Sequence, residues 1–217
     1  MTETFMAIII PAILETTKEG FLDKASRVVK LSGLERIQVD FGDGVFIGSK
    51  LILPADIDAL NPAFEWEAHL MVKEPKDFLD YQICGFKTLI IHYEAFLLAN
   101  DLKKTLDSIK DMGFKTGVAI NPDTPVSVLK DVYADQYLIM GVVPGKQGRT
   151  FIESTPKKIA ELRQLLPHAI IEVDGGINET NIKSLSSAGA DLICVGSALV
   201  RADDMGGAYE KLKIVMG

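Results

Sequence analysis

Two apolar runs in this chain end on a carboxylate: Arg36-Ile37-Gln38-Val39-Asp40 and Ile170-Ile171-Glu172-Val173-Asp174. A run of β-branched residues reads as a buried parallel strand, and its last residue faces whatever cleft lies where the chain leaves the sheet. Taken singly, either aspartate could cap the next helix or anchor a loop. Taken together, two carboxylates from distant strands facing one cavity suit a different task. A proton can leave one face of a carbon and return to the other, provided a neighbouring carbonyl acidifies that carbon. Gly175-Gly176 follows Asp174 at once, letting the backbone approach a ligand and offer its N–H groups to a phosphate.

Other polar groups fall at equivalent places. His69 lies in Glu67-Ala68-His69-Leu70-Met71-Val72, on an alternation that turns it inward. One such histidine is usually a hydrogen-bonded core residue, but beside two aspartates it becomes a candidate metal ligand. His92 and Glu94, in Ile91-His92-Tyr93-Glu94, make a weaker case of the same kind, and Asn121 ends another apolar run. His168 follows Pro167 at the start of a run and reads as surface. Three glycine-bearing loops, Pro144-Gly145-Lys146-Gln147-Gly148-Arg149, Gly175-Gly176 and Gly196-Ser197, would cradle a phosphate if they shared one rim, with Lys146 or Arg149 supplying charge.

What would bring these residues to one rim is a repeat. Apolar runs and amphipathic stretches alternate with a period of roughly 25 residues, that of a βα unit. Strands are predicted at 6–11, 36–41, 65–71, 87–92, 115–120, 136–142, 169–173 and 191–195. Helices are predicted at 18–31, 55–60, 75–83, 98–112 and 125–133, then to 166, over 179–188 and to 215. Eight such units without a linker or composition break predict a single α/β domain over 1–217, a (β/α)₈ TIM barrel, whose chemistry collects at the C-terminal strand ends. An open doubly wound sheet is the runner-up, but no GxGxxG follows the first strand. Lysines 87 and 115 begin their strands, at the wrong rim for Schiff-base chemistry.

Composition narrows the partners. A net charge of −7 argues against a nucleic-acid surface, and 47% hydrophobic residues are ordinary for a soluble globular protein. Cys84 and Cys194 belong to no CxxC pair and read as small core residues of a reducing cytosol. The start carries no basic region of a signal peptide, and no apolar run is long enough to span a membrane, so the expectation is a cytoplasmic protein.

The motifs Pro11-Ala12-Ile13-Leu14, DFGDGVF (40–46), AHLMV (68–72), IHYE (91–94), GVAINPDTP (117–125), MGVVPGKQGRTF (140–151), EVDGGI (172–177) and VGSAL (195–199) run nearly the whole chain in order. In that order the chain resembles the ribulose-phosphate 3-epimerase family. The resemblance implies a ribulose-phosphate-binding type of barrel, a ketose phosphate as substrate, and proton transfer at C3 by Asp40 and Asp174 through an enediolate. It also implies a divalent metal held by two histidines and two aspartates, no organic cofactor, and a homo-oligomer. Asp40, His69 and Asp174 match three ligands; the fourth, a histidine in the family, is Gln38 here. Phosphate and substrate contacts map to Met71, Gly145, Gly148, Arg149, Gly175, Gly176, Gly196 and Ser197. The family's serine near the first strand is Ala12, the histidine of its DGHF is Val45, and its PGFGGQ reads Pro144 to Arg149 with Lys146 and Gln147 changed. An amide in place of an imidazole weakens the site for the divalent cations it could take, Mg²⁺, Mn²⁺, Fe²⁺ or Zn²⁺, and zinc more than harder cations such as Mg²⁺ or Mn²⁺. Two readings follow: a two-base epimerase with a weakened metal site, or a divergent phosphosugar-binding barrel with other or lost chemistry, metal-free in one form.

Overall fold

The computed structural model describes residues 7–79, 85–144 and 150–217. Its eight strands form a closed parallel barrel in sequence order: β1 (Ile8–Leu14), β2 (Arg36–Gly42), β3 (Glu65–Met71), β4 (Phe86–His92), β5 (Lys115–Ile120), β6 (Gln136–Met140), β7 (Ile170–Asp174) and β8 (Leu192–Val195). Both faces of every strand are covered, which is why their sequences read as apolar runs rather than as clean alternation. The predicted strand positions hold to within about three residues at each end; Met6, which the first was expected to include, lies outside the described residues.

The crossovers depart from eight uniform βα units. Helices α1 (Lys18–Val28), α2 (Ala99–Asp111), α3 (Thr155–Leu165), α4 (Ile182–Ser187), α5 (Ser197–Val200) and α6 (Met205–Met216) follow β1, β4, β6, β7 and β8. After β2 and β5 the described chain makes only 3₁₀ turns, Pro54–Asp56 and Val126–Leu129, where helices 55–60 and 125–133 were expected. After β3 another covers Pro75–Phe78, and the rest of the expected helix 75–83 reaches residues outside the description. Prolines at or just before these turns lock φ but give too few residues for a packed helix. The expected last helix divides in two because Asp204 starts a new one, its side chain accepting from the Gly207 N–H at 2.9 Å.

Among the described residues, three apolar clusters divide the interior. The largest fills the layer between barrel and crossovers, including Phe21 of α1, its ring tilted by 58° against Trp66 at 6.5 Å between centroids. Two smaller ones lie within the barrel: Ile90, Ala119, Leu138, Met140 and Val142 on one side, and Ile10, Ala12, Leu192 and Cys194 on the other. Between them runs a seam of buried polar side chains from β2, β3, β6 and β7. Among the described residues, no helix is long and apolar enough to cross a membrane.

Candidate active site

The seam follows from strand parity. Residues two apart on a strand share a face, so an inward Asp40 brings Gln38 inward too, and Asp174 brings Glu172. In the β2–β3 register Asp40 lies opposite His69, and in the β7–β8 register Asp174 lies opposite Cys194.

At the C-terminal end the groups converge. His69 Nδ1 is 2.9 Å from Asp40 Oδ1 and 3.7 Å from Asp174 Oδ2. The Gln38 amide donates both hydrogens, to Asp40 Oδ1 at 2.9 Å and Asp174 Oδ2 at 3.2 Å. All four residues are buried, with Asp174, at 7%, the most exposed. Burial, followed by the nearby charge of Asp40, pushes the Asp174 carboxyl up to about 7. Burial opposes a charged ring at His69, yet the hydrogen bond and charge of Asp40 outweigh it and raise the imidazole.

His69 is held from behind by a chain not foreseen from the sequence. Its Nε2 lies 2.9 Å from His92 Nε2, and His92 Nδ1 lies 3.3 Å from Glu94 Oε2. The other Glu94 oxygen accepts from the Asn121 N–H at 2.7 Å and from the Thr124 hydroxyl. Burial leads the effects that lower His92, to about 4, so the ring is neutral at physiological pH. Glu94 can only accept, so His92 carries its proton on Nδ1, and its bare Nε2 accepts from His69 Nε2–H. That keeps a proton on His69 Nε2 and turns Nδ1 toward the two aspartates, where a second proton is donated to Asp40 Oδ1 and would have to leave before a cation binds.

Below the site the seam continues. The Cys194 thiol lies 3.2 Å from Gln38 Oε1 and 2.8 Å from Glu172 Oε1. Gln136 donates to Glu172 and, at 3.3 Å, to Glu67; Arg36 donates to Gln136 Oε1 at 3.1 Å and to Glu67 Oε2 at 3.4 Å. Cys194, expected as a plain core residue, is therefore part of a polar network; Cys84 lies outside the described residues. Arg36, Glu67, Gln136 and Glu172 were missed, although stepping back two residues from Gln38, His69 and Asp174 finds three of them.

The remaining predicted positions divide. Met71 is buried at the end of β3, and Gly196 and Ser197 open α5 after β8. Gly175 and Gly176 take φ of 111° and 70°, conformations that favour glycine, where the chain leaves β7 beside Val142 and Phe151. Gly145, Lys146, Gln147, Gly148 and Arg149 lie outside the described residues. Asp43, within the DFGDGVF motif, anchors its loop by accepting from the N–H groups of Val45, Phe46 and Lys73. His168 is exposed, as expected.

Ligand atoms of Asp40, His69 and Asp174 lie within 4.8 Å of one another. Four ligands on one cation at about 2.0–2.2 Å stand roughly 3.3–3.6 Å apart at the corners of a tetrahedron. Two carboxylates and an imidazole, with the observed 2.9 and 3.7 Å separations, fit a divalent cation. The Gln38 amide sits at the remaining corner but presents its N–H side.

A family model described as the ribulose-phosphate 3 epimerase family matches residues 8–200, a span that includes every residue of this constellation. The chain belongs to the ribulose-phosphate 3-epimerase family. Among its relatives, a chloroplastic ribulose-5-phosphate-3-epimerase of Arabidopsis thaliana is 36% identical, the match covering 95% of this chain and 76% of that protein. A ribulose-phosphate 3-epimerase of Bacillus subtilis (strain 168) is 32% identical over 96% of this chain and 99% of its own length. Solved structures of like fold include a 3-hexulose-6-phosphate synthase from Salmonella typhimurium (TM-score 0.71, 19% identity, 96% of this chain and 97% of that chain). KGPDC from Streptococcus mutans is another (TM-score 0.69, 15% identity, 97% of each chain). At those identities the likeness is one of fold. Within the epimerase family, this chain is an enzyme of the isomerase type.

Proposed function

We propose that this protein epimerises a ketose 5-phosphate at C3, with Asp40 and Asp174 exchanging a proton on the two faces of that carbon. The observation that carries the reading is the pair of buried carboxylates meeting one histidine at 2.9 and 3.7 Å in a chain of this family. Asp174, pushed up to about 7, sits near the working pH, where a group can both take and give a proton. One carboxylate removes the C3 proton, the electron pair passes into the adjacent carbonyl to give an enediolate, and the other carboxylate returns a proton from the opposite side. Glu94 and His92 orient His69 beside the reacting oxygens. Asp40, His69 and Asp174 would hold a divalent cation, Mg²⁺, Mn²⁺, Fe²⁺ or Zn²⁺, whose contribution when bound is Lewis-acid stabilisation of the enediolate oxygens. Gly175, Gly176, Gly196 and Ser197, with Gly145, Gly148 and Arg149, receive the phosphate, and Met71 flanks the sugar. The same reading has the chain act as one domain in the cytoplasm, as a homo-oligomer that light scattering would detect.

The test is solvent exchange. With D-ribulose 5-phosphate in D₂O, the wild-type protein washes out the C3 hydrogen signal in proton NMR. Asp40→Asn and Asp174→Asn each slow that loss by roughly 10²–10⁴-fold. A second reading, a phosphosugar-binding barrel with other chemistry, is favoured by the Gln38 amide already satisfying both carboxylates. Binding of the sugar phosphate without any C3 exchange would select it.

A further inference from the structure

Gln38 has a polar partner at each end of its amide. On one side Nε2 reaches Asp40 Oδ1 and Asp174 Oδ2 at 2.9 and 3.2 Å; on the other Oε1 lies 3.2 Å from Cys194 Sγ. The two carboxylate oxygens it occupies are the ones nearest His69 Nδ1, so they are the ones a cation needs. A cation cannot share them with two N–H groups aimed at the same point. The amide carries an oxygen on its other corner, and a half-turn about its terminal bond exchanges oxygen and nitrogen with almost no change of shape. What normally forbids such a turn in a buried site is the loss of a partner on the far side. Here the far partner is a thiol, which donates through S–H and accepts through sulfur. After the turn Nε2–H rests on the Cys194 sulfur while the S–H goes to Glu172 Oε1, already 2.8 Å away.

We propose that Gln38 is a two-position amide: N–H toward Asp40 and Asp174 without a cation, Oε1 as its fourth protein ligand with one, and Cys194 as the positioning residue that supports both. The inference rests on the cation-binding part of the proposed function and adds to it a ligand and its support. It explains how a glutamine can stand at a metal corner without poisoning it.

Manganese binding to the full-length protein, followed by isothermal titration and by loss of the free-ion EPR signal, tests this without reference to turnover. Gln38→Leu removes the oxygen and weakens Mn²⁺ binding by roughly 10–100-fold. Cys194→Val, which cannot accept from the turned amide, weakens it about tenfold or more, whereas Cys194→Ser, still donor and acceptor, stays within about threefold of wild type. Gln38→Glu has oxygen on both corners and needs no turn, so it binds Mn²⁺ at least as tightly as wild type, and adding Cys194→Val to it changes nothing. This pair keeps the test decisive should Gln38→Leu fail to fold. Tighter or unchanged binding in Gln38→Leu overturns the proposal, because the amide is then only a competitor. Equal losses from Cys194→Val in the wild-type and Gln38→Glu backgrounds overturn the role of Cys194, and absence of Mn²⁺ binding by the wild type at millimolar ion overturns the whole. None of these results bears on C3 exchange, which judges the two-carboxylate chemistry by itself.

Discussion

Glu94 touches neither aspartate, yet the protonation of the site is set from it. Both its oxygens accept, from the Asn121 N–H, the Thr124 hydroxyl and His92 Nδ1, so it hands the imidazole pair a direction that runs to His69 Nδ1. A glutamine there keeps an oxygen for Asn121 and Thr124 but turns an NH₂ toward His92. The His92 proton must then move to Nε2, His69 becomes the acceptor at its own Nε2, and its one proton is confined to Nδ1 opposite Asp40, which can no longer be freed for a cation. Glu94→Gln is expected to slow C3 exchange roughly 10–100-fold, the scale of losing such an orienting partner. Nitrogen-15 NMR of the two imidazoles would show the exchanged tautomers, and an unchanged pattern would remove the argument. The same carboxyl has a stability signature. Burial tends to raise it, but the hydrogen bonds from His92, Thr124 and Asn121 win and hold it below the usual 4.5. A lowered folded pKa contributes stability that is whole above about 4.5 and is lost as pH falls through the folded value. The stability gap between wild type and Glu94→Gln should therefore shrink in urea unfolding below pH 4.5.

At the scale of elements, the exits of β6 and β7 lean on each other where Asp174 leaves the sheet. Gly175 has φ of 111°, and a Cβ there would stand 2.5 Å from Val142 Cγ2 and 3.1 Å from the Val142 nitrogen. Gly33 also has a positive φ, of 70°, but nothing within 4 Å of its missing Cβ. Gly33→Ala should cost about 1 kcal/mol, backbone strain alone, and Gly175→Ala about 2–4 kcal/mol, strain plus overlap. Urea unfolding of the two variants would measure the difference, and equal losses would mean the contact with Val142 is slack. This exit was legible in the sequence because Asp-Gly-Gly after a β-branched run has few other uses. The strands were legible for a similar reason: Ile-Ile-Glu-Val-Asp and its counterparts are short apolar runs with two buried faces. The crossovers after β2 and β5 were not, since a proline followed by a few apolar residues begins a helix and a 3₁₀ turn alike. Cys194 and Glu172 were opaque for another reason. Each looks ordinary in its own strand, and only the β7–β8 register and the facing positions of β2 and β3 turn them into one network.

Seen across the whole molecule, the barrel interior is cut by a polar seam that starts at Arg36 and passes through Gln136, Glu67, Glu172, Cys194 and Gln38 to the two aspartates. Apolar clusters flank it on both sides, so its charges have little water to share. Two carboxyls, Glu67 and Glu172, face each other there with one guanidinium nearby, which is one negative charge too many for a buried site. Burial first, and then the charge of Glu67, push the Glu172 carboxyl well above 4.5. The folded carboxyl accordingly gives up its proton at a higher pH than the unfolded chain does. A raised folded pKa supplies stability that is fully present below about 4.5 and drains away as pH rises through the folded value. Glu172→Gln keeps an oxygen for Gln136, turns its NH₂ to the Cys194 sulfur, which can accept, and never ionises. It should leave stability near pH 5 within about 1 kcal/mol of wild type and raise it on the alkaline side by about 1–4 kcal/mol, the range for relieving a buried ionic site. Arg36→Met, which strips the nearest cation from the same pair, should cost about 3–5 kcal/mol and steepen the alkaline loss. Urea unfolding between pH 5 and 9 reads both. Parallel curves for wild type and Glu172→Gln would mean that Glu172 is ionised in the folded barrel and that the seam is balanced by some group other than its shared proton.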